Sequence, residues 1–355
     1  MENTTKTSLV RNLNIQEIEK ILKAKGKATK AEIAEATGLS LMSAGKIVNL
    51  MEDQGRLVVV GRLQTKGRGS DIYAINPESV HMIGVFAIHH HFHGCVIDAV
   101  GKVIREESYE MEGNLRDLNL YEKLTQIIDE LIETDGVTKD SVGMLGIGLP
   151  GIIHNGTVQR VGRFAGFDGF SIATRLEQKY QTRVMVENDV NLMTMGYYRH
   201  LKLTEDKPAD SLVLLHIGGG VGAGIMVGGK VIRGATNMAG EVAFLPLRCT
   251  EKHKDSLLPL EDTILEQIRA RKTNPQDTAA REKLIEALAE LLIGFIAVLN
   301  PEVVAINDVI STEEKELLDQ RIVEKIGQGS SPRILLYHKA HECCRYGFVN
   351  SFMAE

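Results

Sequence analysis

The chain has few cysteines and no long apolar run, and both scarcities limit what it can be. Its four cysteines in 355 residues show no disulfide-framework spacing, which indicates a reducing compartment. No apolar run approaches the roughly 20 residues that a membrane-spanning helix needs. The opening residues MENTTKTSLV also lack the apolar core of a signal peptide. We therefore expect a cytoplasmic protein without a membrane partner.

The length and the charge distribution indicate more than one domain. A chain of 355 residues exceeds one ordinary domain, so two or three are expected. Residues 1–76 hold 12 Lys and Arg against 8 Asp and Glu, whereas the remainder holds 29 against 39. A basic first segment on an acidic body suggests a nucleic-acid-binding module joined to something else.

Residues 14–53 carry the pattern of a helix-turn-helix. Residues 14–26 repeat apolar side chains at helical spacing. Thr29 and Glu32 then form the capping-box pattern of a second helix, which Gly38 ends. Ser40 is placed to cap a third helix, and two short helices joined by the sequence TGLS are typical of this motif.

The segment after this motif predicts the wing of a winged helix. Residues 56–76 alternate like a hairpin with a basic, glycine-rich tip at 66–70, which suits contact with phosphates or the minor groove. The early exposed positions of the third helix are where a recognition helix meets base edges. The candidate DNA-binding residues are Thr29, Ser40, Met42, Ser43, Lys46, Arg62, Lys66 and Arg68. A winged helix used only for protein contacts is the alternative.

From residue 80 the pattern is that of an α/β protein with two lobes. Residues 80–104 predict two strands of a hairpin with a turn near 99–101, and residues 120–134 predict an amphipathic helix. The segment RVMVENDVNLMTMGYY predicts a strand running into a helix. A second glycine-broken hairpin covers residues 211–234, and we expect a cleft between the lobes.

Four ordered motifs resemble those of the ROK family, whose members are repressors, open reading frames and kinases. They read GIGLPGIIHNGTV, VENDVNLMTMG, HIGGGVGAGIMVGGKVIRG and MAGEVAFLPL. The resemblance implies an actin-like (ribonuclease H-like) sugar-kinase fold behind a winged helix-turn-helix, as in the family's repressors. The implied boundaries are 1–76 for the DNA-binding domain, 77–190 for the first lobe and 191–339 for the second, with a helix at 340–355 returning to the first lobe.

The resemblance also locates the elements with which a kinase of this family contacts its nucleotide, and all three are altered. Phe86 stands where the family's D-x-G-G-T motif has its aspartate, and Ile88 and His89 replace its glycines. Gly219 removes the threonine hydroxyl of the family's G-T-G-V-G loop, so we interpret residues 218–222 as a structural turn. Near the adenosine position, Asn307, Asp308 and Val309 replace a run of glycines. We therefore expect no kinase activity and no cofactor.

The residues that contact sugar in the family are better kept. By resemblance, Asn188 and Asp189 match a pair that binds sugar hydroxyls, and the aspartate is the general base in the kinases. Glu241 matches a sugar-binding carboxylate, and Glu261 is aligned with a second one across an altered loop. Gly151 completes the expected effector-binding set. The alternative for Asp189 is a purely structural role as a helix N-cap.

The metal site of the family is not kept. Phe244 replaces its histidine, and of its cysteine run only Cys249 remains, with His253 nearby. Two ligands do not make a structural zinc site, so we expect no metal. On a strand, His89, His91 and His93 would share one face, which suits either a transition metal or a polar, cleft-facing strand.

The sequence therefore predicts a transcriptional regulator, most simply a repressor of a carbohydrate-utilisation operon. Its expected partners are a double-stranded DNA operator and a sugar or sugar-phosphate effector, and a homodimer or tetramer would match a palindromic site. An active sugar kinase with an attached DNA-binding domain is one alternative. A ligand-independent regulator with a vestigial cleft is another.

Overall fold

The N-terminal region consists of three helices and a small antiparallel sheet. The structure, a computed structural model, describes every residue except 1, 65–68, 89–90, 112–118, 161–169, 248–257, 330 and 354–355. The elements of this region are α1 (Glu2–Lys25), β1 (Ala28–Thr29), α2 (Lys30–Thr37), α3 (Leu41–Asp53), β2 (Leu57–Leu63) and β3 (Ser70–Ile75). The three strands pair in the order β1-β3-β2. Buried side chains from all three helices and from the sheet form one core, which includes Ile18, Ile33, Val48 and Tyr73.

Local sequence signals set the helix ends in this region. The predicted capping box is confirmed, because the Thr29 backbone N–H donates to the Glu32 carboxylate and the Glu32 N–H donates to the Thr29 hydroxyl. Gly38 ends α2 with a φ of 70°, a conformation that glycine adopts at low cost. Ser40 caps α3 by accepting from the Ser43 N–H. Only α1 departs from expectation, because it begins at Glu2, well before residue 14.

The first large sheet has five strands in the order β11-β7-β4-β5-β6. Its region contains β4 (His81–Ile88), β5 (His91–Ile97), β6 (Val103–Glu110), α4 (Leu120–Ile132), β7 (Val142–Leu149), β8 (Ile152–His154), β9 (Thr157–Arg160), β10 (Phe170–Ser171), α5 (Ile172–Tyr180) and β11 (Arg183–Asn188). The predicted turn near 99–101 is confirmed, but the prediction of only two strands over 80–104 was wrong. The chain reverses twice, since Ile88 pairs with His91 and a second turn follows at 98–102. The continuous apolar-to-histidine run hid the first reversal.

The second large sheet has the order β14-β13-β12-β15-β16. The elements from α6 onward are α6 (Asp189–Thr204), β12 (Ser211–Ile217), β13 (Val221–Val227), β14 (Lys230–Val231), α7 (Pro259–Thr273), α8 (Thr278–Leu299), β15 (Val303–Asn307), α9 (Thr312–Ile326), β16 (Arg333–Tyr337) and α10 (Ala340–Met353). The outer faces of the two large sheets carry separate apolar cores, with α4 and α5 on the first and α7, α8 and α9 on the second.

Helices α6 and α10 pack tightly against each other and share one core with the inner faces of both sheets. A Cβ on Gly196 would collide with the backbone of Cys343, and one on Gly347 would collide with the carbonyl of Leu192. The ring of Phe348, which is fully buried, fills the space above two glycines of the first sheet, Gly84 and Gly146. α10 thus completes the inner face of the first sheet.

The N-terminal region touches the body at the turn after β5 and at the end of α10. Ala99 is buried in the N-terminal core, and its N–H donates to the Pro77 carbonyl. Lys23 Nζ donates to the Met353 carbonyl at 3.4 Å, and partial burial there lowers the pKa of Lys23. Among the described residues, no helix combines the length and the apolar character required to cross a membrane.

Candidate functional site

A cavity of about 430 Å³ opens where the strands of the first sheet end and the glycine loop of the second begins. We call it the carboxylate cavity. Its lining includes all five residues predicted to bind an effector: Gly151, Asn188, Asp189, Glu241 and Glu261. The parallel pairing of β7 with β11 explains part of this, because Leu149 and Asn188 are register partners at the carboxyl ends of the two strands.

Asn188, rather than Asp189, is the N-cap of α6. Its Oδ1 accepts from the Asn191 N–H at 3.0 Å, and its Nδ2 donates to the Gly151 carbonyl at 2.9 Å. The interpretation of Asp189 as the cap was therefore wrong. Asp189 is the first residue of the helix, and its Oδ1 accepts from the Val190 N–H at 2.9 Å. The amide orients the turn, and the carboxyl group next to it lines the cavity.

The Asp189 carboxyl group binds its proton more tightly than an ordinary aspartate does. Its pKa is raised from 3.8 to about 7, mainly by burial and also by the negative charge of Glu241, while the hydrogen bond from the Val190 N–H acts in the opposite direction. Protonated and ionised forms therefore coexist near neutral pH. A group in this state can either donate a hydrogen bond to a ligand hydroxyl or accept one from it.

Glu261 ties the first turn of α7 to the glycine loop. Its Oε2 accepts from the Val221 N–H at 2.9 Å, and it lies so close to Gly220 that a Cβ there would contact it. Within the loop, the Gly218 N–H donates to the Gly220 carbonyl. These loop N–H groups thus serve the protein's own acceptors. That use fits the interpretation of residues 218–222 as a structural turn.

Two contacts that the sequence did not reveal close the cavity from the side of the second sheet. Arg233 Nη2 donates to the buried Glu187 carboxylate at 2.5 Å, and Asn191 Nδ2 donates to the same carboxylate. Asn237 Nδ2 donates to the Ile153 carbonyl. The loop after β14 is therefore fastened to the ends of β8 and β11. No local sequence signal could pair residues this far apart.

In the structure, the side chains at the positions aligned with the family's nucleotide contacts pack against the protein's own groups or line its cavities. Phe86 is 1% exposed, stacks on His93 and lies at a tilt of 55° against Phe348. Asn307 is buried, and its amide both donates to the Ile217 carbonyl and accepts from the Ile217 N–H, each at 2.9 Å. Ile88 lines the carboxylate cavity and also a second, smaller one.

A second cavity, of about 280 Å³, is lined by four histidines, and we call it the histidine cavity. It is lined by Ile88, His91, His93, His216, Asn307, Asp308, Tyr337, Lys339, Ala340 and His341. His91 and His93 share a face of β5, as the alternating pattern predicted. Over the described part of the chain, no three His, Cys, Asp or Glu side chains are arranged to hold a metal ion. His89, Cys249 and His253 lie outside the described residues.

The candidate DNA-contacting residues are divided between exposed and buried positions. Met42, Ser43 and Lys46 lie on the exposed face of α3, where Met42 is 73% exposed. Arg62 lies on β2, 3.6 Å from Asp71, with most of its side chain in solvent. Thr29 is buried, and its hydroxyl caps α2, so its position is that of a structural residue.

Ser40 is exposed, but its hydroxyl caps α3 and contacts the Ser43 hydroxyl at 2.9 Å. Lys66 and Arg68 lie outside the described residues. The surface available for a ligand in this region is therefore the early part of α3 together with Arg62.

Comparison with known proteins places this geometry in a family. Residues 82–256 match the model of the ROK family. The xylose repressor of Bacillus subtilis (strain 168) is 20% identical over 243 residues, which cover 68% of this chain and 62% of that protein. The chain thus spans about three-fifths of the length of that relative.

Solved structures share the fold. A ROK family transcriptional regulator, a homolog of the E. coli MLC protein, has a TM-score of 0.74 at 17% identity, covering 97% of this chain and 96% of that one. The ROK hexokinase from Thermus thermophilus has a TM-score of 0.59 at 18% identity, covering 76% and 96%. The body is therefore a mixed α/β fold like that of the sugar kinases. The chain carries a ROK family domain.

Proposed function

We propose that the chain is a DNA-binding transcriptional regulator, a repressor of sugar-utilisation genes, whose body senses a sugar. The observation that carries the proposal is the convergence of Asn188, Asp189, Glu241 and Glu261 on one cavity beside Gly151. Carboxylates and an amide that face a cavity suit polyols, because each hydroxyl can meet an acceptor. The similarity to a xylose repressor and to a ROK transcriptional regulator supports the same function.

The N-terminal region would supply the DNA contact as a winged helix-turn-helix. α2 and α3 are joined by a three-residue turn, and the hairpin of β2 and β3 follows, as this motif requires. α3 would enter the major groove with Met42, Ser43 and Lys46, while Arg62, Lys66 and Arg68 would track phosphates. A homo-oligomer would present two such regions to a palindromic operator.

Effector and DNA would communicate by linkage, since a ligand that prefers one arrangement of the body shifts the population of the DNA-binding arrangement. α10 gives this coupling a physical route. Its first turn lines the histidine cavity beside the site, and its last residues contact Lys23 and Gly101 next to the N-terminal region.

We propose that the body has no kinase activity. Phe86 and Ile88 stand where the family's clasp has an aspartate and a glycine, and Phe86 supplies no carboxylate for magnesium. Asp189 keeps the position of a general base, but no group on β4 would hold the phosphoryl donor opposite it.

A sugar panel tests the sensing part. Melting temperatures of the full chain would be measured with common pentoses, hexoses and amino sugars, each free and phosphorylated. We expect at least one to stabilise the protein in a concentration-dependent manner, as a ligand specific to the folded state must. If no member of the panel shifts the melting temperature, the cleft is vestigial and the sensing function is rejected.

Lys46→Ala tests the DNA-binding part. Removing one cationic contact should weaken binding to the protein's own promoter region by about tenfold and lower the salt slope by about one. Fluorescence anisotropy at several salt concentrations measures both. Lys272→Ala removes the same charge from an exposed position on α7 and should leave binding unchanged. If the two variants bind DNA equally well, α3 is not the recognition helix.

A further inference from the structure

The histidine cavity is assembled from elements that lie far apart in the chain. β5 contributes His91 and His93, β12 contributes His216, and the start of α10 contributes His341. Lys339 immediately precedes that helix and lines the same cavity. Its volume of about 280 Å³ exceeds that of several water molecules and admits a phosphate-sized group.

Two lining imidazoles, His93 and His341, stack on each other, and the buried ring of Phe86 stacks behind His93. The Phe86 and His93 ring centroids are 5.2 Å apart at 17°, and those of His93 and His341 are 5.4 Å apart at 14°. Face-to-face stacking leaves ring edges as the polar parts of the imidazoles. Each neutral imidazole carries one N–H donor and one acceptor nitrogen at its edge, and a protonated imidazole carries two donors. The lining imidazoles can therefore each supply at least one donor.

The other lining groups mostly favour a negative charge. Ala340 and His341 are the first two residues of α10, a 14-residue helix whose N-terminal dipole attracts anions. Lys339 adds a cation, whose Nζ also donates to Glu342 at 2.8 Å. Asp308 is the one lining carboxylate among the described residues, and it lies 3.1 Å from His338, an exposed imidazole that offsets its charge when protonated.

The two cavities adjoin each other. Ile88 and His216 line both, and His216 Nδ1 lies 2.8 Å from the Tyr337 hydroxyl on the far side of the histidine cavity. A ligand with its hydroxyls in the carboxylate cavity therefore has a donor-rich space next to it.

We propose that the histidine cavity is the phosphate subsite of the effector site, so that the ligand is a phosphorylated sugar rather than the free sugar. The inference rests on the sensing function proposed above and narrows its ligand class. The sugar hydroxyls meet acceptors in the carboxylate cavity, and the phosphate oxygens meet imidazole and ammonium donors around His93, His341 and Lys339.

The test is calorimetry on the full chain with matched pairs of ligands. Glucose, mannose and N-acetylglucosamine would each be titrated as the free sugar and as its 6-phosphate, with inorganic phosphate as a separate ligand. In at least one pair we expect the ester to bind about tenfold more tightly or better, because one added hydrogen bond to a charged group supplies that much. Inorganic phosphate should compete with the ester and leave the binding of the free sugar unchanged.

Variants test which residues are responsible for the tighter binding of the ester. His341→Gln should reduce the affinity for the ester to that for the free sugar and leave the free sugar unaffected. Lys339→Gln, an exposed change with little risk to folding, should weaken the ester alone by a smaller factor. His200→Gln, at an exposed position of α6 that lines neither cavity, is the matched control.

The outcomes separate the two proposals. Free sugars that bind as tightly as their esters overturn the phosphate subsite and leave the sensing function intact. Inorganic phosphate that binds through His341 while no ester gains affinity also overturns it, because the cavity then serves a free anion. An ester preference that survives in both His341→Gln and Lys339→Gln places the phosphate elsewhere and rejects the assignment. A panel in which neither sugars nor esters bind rejects the sensing function itself.

Discussion

The carboxylate cavity and the histidine cavity share two wall residues, Ile88 and His216, but present opposite chemistry. The first offers hydrogen-bond acceptors from Asp189, Glu241 and Glu261. The second offers donors from imidazoles and the start of α10. A ligand that uses both must carry hydroxyl donors at one end and an acceptor-rich, anionic group at the other. The pair of cavities is therefore more selective than either alone, because a neutral sugar or a bare anion satisfies half of the site.

The largest expected effect comes from weakening the packing of α10, whose first residues line the histidine cavity and not the carboxylate cavity. Phe348→Ala leaves a void above Gly84 and Gly146 and should lower the free energy of unfolding by about 3–5 kcal/mol. Urea denaturation measures the loss. Tyr346→Ala removes a partly exposed ring from the same helix and should cost less than about 1 kcal/mol. Similar losses in the two variants would mean that α10 does not complete the first sheet.

Asp189→Ala removes one of the hydrogen-bond acceptors of the carboxylate cavity. Each polar partner of a ligand hydroxyl that is left unpaired costs about 1–3 kcal/mol, so affinity for the effector should fall by about one to two orders of magnitude. DNA binding without the effector should persist, because the cavity is remote in sequence from α3. Calorimetry and anisotropy on the same protein measure both. Asp206→Ala, an exposed change in the loop after α6, is the control. Unchanged effector affinity in Asp189→Ala would remove the carboxylate cavity from the sensor.

Asp189→Asn tests the raised pKa in the carboxylate cavity through the pH dependence of the melting temperature. Since the folded pKa of Asp189 is about 7 and its ordinary value is 3.8, the folded protein retains a proton that the unfolded chain releases in between. The associated stability is fully present below about pH 4 and is lost as pH rises through 7. Asparagine does not ionise, so the variant does not lose this stability as the pH rises. Its melting temperature relative to the parent should therefore rise between pH 5 and 7 and level off above 8. A constant difference across that range would place the Asp189 pKa near its ordinary value.

The smallest expected effect is on ATP. Neither cavity provides a carboxylate on β4 for magnesium or an open path at Phe86, so sugar-dependent ADP release should stay at the background rate. A coupled assay across hexoses and amino sugars measures it, with Asp189→Asn as the reference for background. Turnover by the parent that this change abolishes would establish the kinase alternative.

Local chemistry explains what the sequence predicted well. The capping box at Thr29 and Glu32 and the stop at Gly38 depend only on neighbouring residues, so a single sequence reveals them. Asn188, Asp189 and Glu241 were predicted to bind an effector because they lie in motifs that resemble a family, and the structure brings them to one cavity. Glu261 was placed across an altered loop, and the structure brings it to the same cavity.

The missing parts depend on contacts between distant segments. His216, Tyr337 and His341 meet in the histidine cavity although no motif links them, and only the alternation of His91 and His93 hinted at that wall. The capping of α6 by Asn188 was missed because either Asn188 or Asp189 could cap a helix. The turn between β4 and β5 was missed because no glycine, proline or asparagine marks it.

The position of α10 also determines the order in which the protein can be completed during synthesis. The N-terminal region has its own core, whose last buried residue is Ala99. The ring that covers Gly84 and Gly146 of the first sheet belongs to Phe348, which leaves the ribosome after both large sheets. Because domains fold as units while the chain emerges, the nascent protein would carry a folded N-terminal region on an open body until α10 docks. Premature termination before Ala340 would therefore yield a truncated product that keeps the N-terminal core and lacks both the cover of the first sheet and the α10 part of the histidine cavity.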